Sequence, residues 1–178
     1  MSRIGKKIIA IPSGVTVEVK DNIVTAKGAK GTLSFEHRNE VAVVISTESI
    51  VIEKKGKTKE TPAIWGTTSR MVENLLIGVS QNFEKKLELN GVGFRMSVTG
   101  KNVNLALGFS HPVVVPIVEG IDVKIEGNVM TISGIDKYKV GQFAANIKKL
   151  KPVEPYKGKG FKYAGEIVRR KEGKRAAA

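Results

Sequence analysis

The stretch SGVTVEVKDNIVTAKG at residues 13–28 and its echo EGIDVKIEGNVMTISG at residues 119–134 decide the fold. In the first, Val15, Val17 and Val19 alternate with Thr16, Glu18 and Lys20 before Asp21-Asn22 turns the chain into Ile23 to Lys27. That is the period of a hairpin with one buried face. A shift of 106 residues lays Gly14 on Gly120, Asn22 on Asn128, Thr25 on Thr131 and Gly28 on Gly134, with every inward apolar position kept apolar. Two half-buried hairpins share their alternation by necessity, but need not share their turns. The match is therefore read as an internal duplication.

Working outward, Leu33 to Phe35, Val41 to Ile45 and Ile50 to Glu53 form further short strands. The period changes at Thr61, an expected N-cap followed by Pro62, after which Trp65, Met71, Val72, Leu75, Leu76 and Val79 recur at three- and four-residue steps. These mark the inner face of one amphipathic helix. The second half repeats the order. Leu87 to Asn90, Gly93 to Thr99, Val103 to Leu107 and Val113 to Val118 read as strands, and Ile121 to Ile132 as a hairpin. Asp136 then caps a helix with Val140, Phe143, Ala144, Ile147 and Leu150 on one face, stopped before Pro152. The expected fold is α+β. It has two tandem homologous domains, each a small antiparallel sheet packed with one helix, at residues 1–82 and 83–152, and a basic C-terminal tail at 153–178.

The length agrees, since 178 residues hold one large domain or two small ones. Cysteine is absent, which excludes disulfide frameworks and thiol catalysis. The opening MSRIGKKIIAIP has only the short apolar run Ile8 to Ile11 before Pro12, too little for a secretory signal. No apolar run approaches the roughly 20 residues that span a bilayer, so a soluble protein without membrane partners is expected.

The net charge of +13 is unevenly placed. Residues 148–178 hold eleven basic and three acidic side chains, a net +8, and residues 1–7 add +3, whereas residues 8–147 carry 16 basic and 14 acidic groups. A run of this density beside aromatics points to a polyanion. Catalysis has no comparable signal. His37 and His111 stand alone in different halves, no nucleophile elbow appears, and the acidic residues are scattered without metal-ligand spacing. The expectation is a non-enzyme without metal or cofactor. GVGFRM at Gly91 to Met96 lacks the third glycine of a dinucleotide fingerprint and leads into a strand, so its glycines mark a bulge or a close backbone approach. GAKG at Gly28 to Gly31 is a turn.

The chemistry lies in PVEPYKGKGFKYAGEIVRRKEGKR, residues 152–175. Lys157, Lys159, Lys162, Lys171 and Lys174 supply point charges for phosphates. Arg169, Arg170 and Arg175 supply planar forks that bridge two phosphate oxygens. Tyr156, Phe161 and Tyr163 offer faces on which an unpaired base stacks. Alternatively Phe161, Tyr163 and Ile167 belong to a final strand docked on the second domain, with the lysines outward in either case. Gly158 and Gly160 alternate with lysines and are expected to lie against another backbone. With the strip read as lying outside both cores, alanine at both is expected to leave the free protein's stability nearly unchanged.

YKGKGFKYAGEIVRRKEGK at residues 156–174 closely resembles the C-terminal signature of the bacterial-type large-subunit ribosomal protein numbered six. The likeness extends to SRIGKK at 2–7, GTT at 66–68, FEKKLELNGVGFR at 83–95 and LGFSHPV at 107–113, and so covers essentially the whole chain. It implies a structural constituent of the large ribosomal subunit in the cytoplasm. It further implies binding of large-subunit ribosomal RNA near the sarcin–ricin loop and the stalk base, with neighbouring ribosomal proteins and translational GTPases close by. Ile8 and Ala10 stand where many members have proline, and Ala176 to Ala178 replace a lysine-rich end. The alternative reading is a free nucleic-acid-binding regulator, which would stay in the supernatant when salt-washed large subunits are sedimented.

Overall fold

The computed structural model describes residues 4–46 and 48–173. The chain forms two compact units, Met1–Phe83 with Ile135–Lys137, and Glu84–Gly134 with Tyr138–Ala178. Among the described residues no helix is long and apolar enough to cross a membrane.

The first unit holds β1 (Ile9–Ala10), β2 (Thr16–Lys20), β3 (Ile23–Gly28), β4 (Gly31–Glu36), β5 (Val41–Ile45), β6 (Ser49–Lys54) and helix α1 (Thr61–Gln81). Its strands make two antiparallel sheets, β2-β3-β4 and β1-β6-β5. The β2–β3 turn is two residues long, with Asp21 and Asn22 at φ 47° and 65°. A type I′ turn needs both of its central residues in that region, and Asp and Asn tolerate it. Between β3 and β4 the glycine pair Gly28 and Gly31 flanks the turn. A Cβ on Gly28 would lie 2.5 Å from the Val79 carbonyl oxygen, and the Lys30 amide donates to that same oxygen at 3.1 Å. GAKG is thus the place where a hairpin tip closes on the last turn of α1 and satisfies one of its orphan carbonyls.

Helix α1 buries Trp65, Val72, Leu75, Leu76 and Val79 against Ile9, Val24, Ala26, Val41, Ile50 and Ile52. Each such aliphatic side chain contributes about 1.5–3 kcal/mol. The Trp65 indole N–H donates to the Ile52 carbonyl at 2.6 Å, so its one polar atom is satisfied inside the core. Two expectations change at this helix. Thr61 is its first helical residue, Glu60 takes the cap position, and the Thr61 hydroxyl sits 2.9 Å from that of Thr58. Met71 is exposed, since it lies at the border of the apolar stripe.

The second unit takes β7 (Phe83–Asn90) from Glu84 onward, β8 (Arg95–Thr99), β9 (Asn102–Ala106), β10 (Val113–Pro116), β11 (Ile121–Glu126), β12 (Val129–Gly134), α2 (Lys137–Leu150) from Tyr138 onward and β13 (Gly160–Tyr163). Its sheets run β10-β9-β8 and β11-β12-β7-β13. Asp136 directly precedes α2, and Val140, Phe143, Ala144 and Ile147 are buried while Leu150 is half-exposed.

Both units follow one plan: a lone strand, a three-stranded meander, a hairpin whose second strand pairs with the lone strand, then a helix. In this plan β1 matches β7, β2-β3-β4 matches β8-β9-β10, and β5-β6 matches β11-β12. The shift of 106 residues is therefore a misregistration of a real repeat, because it lays β2–β3 on β11–β12, which hold different places. Two-residue hairpin turns draw on the same few residue types even where their geometry differs: Gly127-Asn128 and Gly100-Lys101 close β11–β12 and β8–β9 with only the glycine at positive φ, whereas Asp21-Asn22 has both residues there. Among the described residues β13 has no counterpart in the first unit, and it extends its sheet at β7.

Candidate nucleic-acid interface

After α2 the chain doubles back on itself before it reaches β13. The Phe161 amide donates to the Lys151 carbonyl at 2.8 Å, the Glu154 amide to Lys159 at 2.8 Å and the Gly158 amide to Glu154 at 3.0 Å. β13 then pairs with β7 in the register Gly160↔Asn90, Phe161↔Leu89, Lys162↔Glu88 and Tyr163↔Leu87. Beyond it, the Ala164 amide donates to Lys86 at 3.0 Å and the Lys171 amide to Pro155 at 2.9 Å. The strip is a folded loop tied at both ends.

This placement corrects the expectation for the glycines. Gly160 is buried at φ 128°, and a Cβ there would lie 2.5 Å from the Pro152 oxygen and 2.7 Å from the Lys151 oxygen. Gly158 is buried at φ 70°, with its absent Cβ 3.2 Å from the Arg170 guanidinium. The close approach is to the chain's own backbone, inside the second unit, so the strip does not lie outside the core.

The aromatics divide. Phe161 has no exposed surface and belongs to the core. Tyr163 is half-buried, with the Lys148 ammonium 4.5 Å and the Lys85 ammonium 5.7 Å from its ring centroid, so cations hold its face. Tyr156 is exposed, and Ile167, which the docked-strand alternative placed inside, is 96% exposed.

The cations divide as well. Lys162 pairs with Glu88 at 2.7 Å across the two strands. Lys148 donates to both oxygens of Glu166 at 2.7 and 2.6 Å, and the Tyr163 amide donates to the same carboxylate at 2.8 Å. The Lys148 hydrogen bond first, and the backbone N–H second, hold the Glu166 carboxyl below the ordinary glutamate range. Lys159 is half-buried, while Lys157, Arg169, Arg170 and Lys171 stand exposed. Lys174 and Arg175 lie outside the described residues. The presented chemistry is two point charges and two guanidinium forks beside a free tyrosine face.

Sequence reasoning left Lys85, Lys86, Lys148 and Lys151 out of the site. The signal was present for the first two: Leu87 and Leu89 point inward on β7, and Lys85 and Lys86 are exposed just before them. Their strand becomes the neighbour of β13 only in the fold. Elsewhere, His37 is buried in the first unit with its Nδ1 3.1 Å from the Arg38 carbonyl oxygen, and His111 is exposed in the second. Among the described residues no group of three or more His, Cys, Asp or Glu is placed to hold a metal ion.

Comparison with known proteins gives a consistent picture. The family model described as ribosomal protein L6 matches residues 11–82 and 90–164, one stretch in each half of the chain. The large ribosomal subunit protein uL6 of Methylocella silvestris is 53% identical over 176 residues, covering 98% of this chain and 99% of its own. That of Nitratiruptor sp. is 49% identical with 99% of each covered, and that of Novosphingobium aromaticivorans 48% identical with 98% and 99% covered.

Proposed function

The chain belongs to the ribosomal protein L6 family, and we propose that it serves as a structural, non-enzymatic constituent of the large subunit of the cytoplasmic ribosome, gripping ribosomal RNA through the pinned loop of its second unit. The observation that carries this reading is the exposure of Lys157, Arg169, Arg170 and Lys171 on a loop fixed by backbone hydrogen bonds. Cations on a rigid frame meet phosphates without first having to be ordered, so less of the Coulomb gain is lost to entropy. The family's location near the sarcin–ricin loop and the stalk base, with neighbouring ribosomal proteins and translational GTPases close by, is the placement we assign to this chain.

Replacing those four cations with alanine should weaken binding to protein-free large-subunit ribosomal RNA. It should also flatten the log–log salt dependence by about 3 units, at roughly 0.7–0.9 per phosphate contact. An unchanged slope would remove these residues from the interface. Hydroxyl-radical footprinting on the same RNA tests the location, and protection confined to regions away from the sarcin–ricin loop would refute it.

A further inference from the structure

We propose that Phe109, set between Lys151 and solvent in the second unit, is a stacking platform for an unpaired RNA base. The idea rests on the RNA-binding reading above and adds a base contact to the loop's phosphate contacts. Two loops build the platform. One, Gly91 to Phe94, joins β7 to β8; the other, Gly108 to Pro112, joins β9 to β10. Gly91, Gly93 and Gly108 all have positive φ, at 149°, 83° and 74°. A Cβ on Gly108 would come within 3.3 Å of the Phe94 ring, so the absence of a side chain lets the loops close on each other. Lys151 lies 5.0 Å from the Phe109 centroid and 5.8 Å from that of Phe94.

Phe109 nevertheless remains 45% exposed, and Val92 in the first loop is 93% exposed. A large aromatic left in water with a cation on its ring is suited to a flat, electron-rich partner near a negative charge. Charge selects the occupant: residues 89–118, which include both loops, contain no Asp or Glu, while Arg95, which follows the first loop, and His111, within the second, are exposed. A base stacked on Phe109 would set its phosphate within reach of the Lys151 ammonium. Such stacking tolerates any base, since every base has a π face.

The experiment uses the full chain, protein-free large-subunit ribosomal RNA, and a short oligouridylate with its abasic counterpart. Phe109→Ala should weaken binding to the ribosomal RNA roughly 5- to 150-fold while leaving its salt slope unchanged. Phe109→Trp should bind like the parent, and its emission should be quenched by the oligouridylate but not by the abasic strand. Thermal melting checks that each variant is folded. Equal affinity of Phe109→Ala and the parent overturns the proposal, as does equal quenching by the abasic strand. If Phe109→Ala keeps its RNA affinity but is lost from subunits assembled with the other ribosomal proteins, the platform faces protein and the proposal fails. Failure of the parent to bind ribosomal RNA at all would instead overturn the underlying functional reading.

Discussion

Gly158 and Gly160 stand two residues apart in the loop, and their alanine variants separate two kinds of constraint. At Gly158 the cost is mostly conformational, since φ is 70° and the nearest neighbour is the flexible end of Arg170. About 1 kcal/mol is expected there. At Gly160 a Cβ meets two backbone carbonyls that cannot swing aside, so the loss should be larger, about 2–3 kcal/mol. Differential scanning calorimetry should therefore rank the melting temperatures parent, Gly158→Ala, Gly160→Ala, in descending order. Equal melting points for the two variants would contradict the close approach described for Gly160. Most of the cations in this loop were legible in the sequence, because density and spacing are visible there. Which of them are held by internal partners was not. Lys162 is answered by Glu88, which comes opposite only once β13 pairs with β7.

At the scale of elements, the link between α2 and the segment after β13 carries a pH dependence. Glu166 is bound by Lys148 and by the Tyr163 amide, and its carboxyl is held below the ordinary glutamate range. A group with a depressed folded value contributes stability above its unfolded value and loses it as pH falls through the folded one. Stability of the second unit should accordingly fall from about pH 4.5 downward, and Glu166→Gln should flatten that fall by lowering stability at neutral pH while changing little below the folded value, where the parent's carboxyl is already protonated. Amide exchange at Phe161 and Tyr163 between pH 3 and pH 6 is the measurement, and equal pH dependence in both proteins would dismiss the link. Elements as such were readable from alternation and helical period. The equivalence of the repeats is misregistered by the shift, because two-residue hairpin turns of different geometry draw on the same Asn, Asp and Gly for backbone reasons, so turn residues do not identify a place in the topology. β13 was legible only as one alternative, since four residues among lysines, GFKY, show too little alternation to separate a strand from a tail.

For the molecule as a whole, the cations of the pinned loop belong to the second unit alone, and a fragment of residues 83–178 should retain the RNA affinity and salt slope of the full chain. A fragment of residues 1–82 should bind weakly and without the same slope. Equal losses on deleting either half would mean that the grip is shared. The β13–β7 pairing has a further consequence, for time and not for affinity. Asn90 and Gly160 are partners although seventy residues separate them, whereas the β8–β9 and β11–β12 hairpins close across two-residue turns. Closing so long a segment carries an entropic barrier that local hairpins escape. Refolding should then proceed from the meander and the β11–β12 hairpin to β13, and the same strand should be the first to open. On the RNA-binding role proposed above, the pinned loop is thus the latest part of its unit to mature, and a nascent chain would become competent to join a ribosome only when that last, slowest zipper shuts.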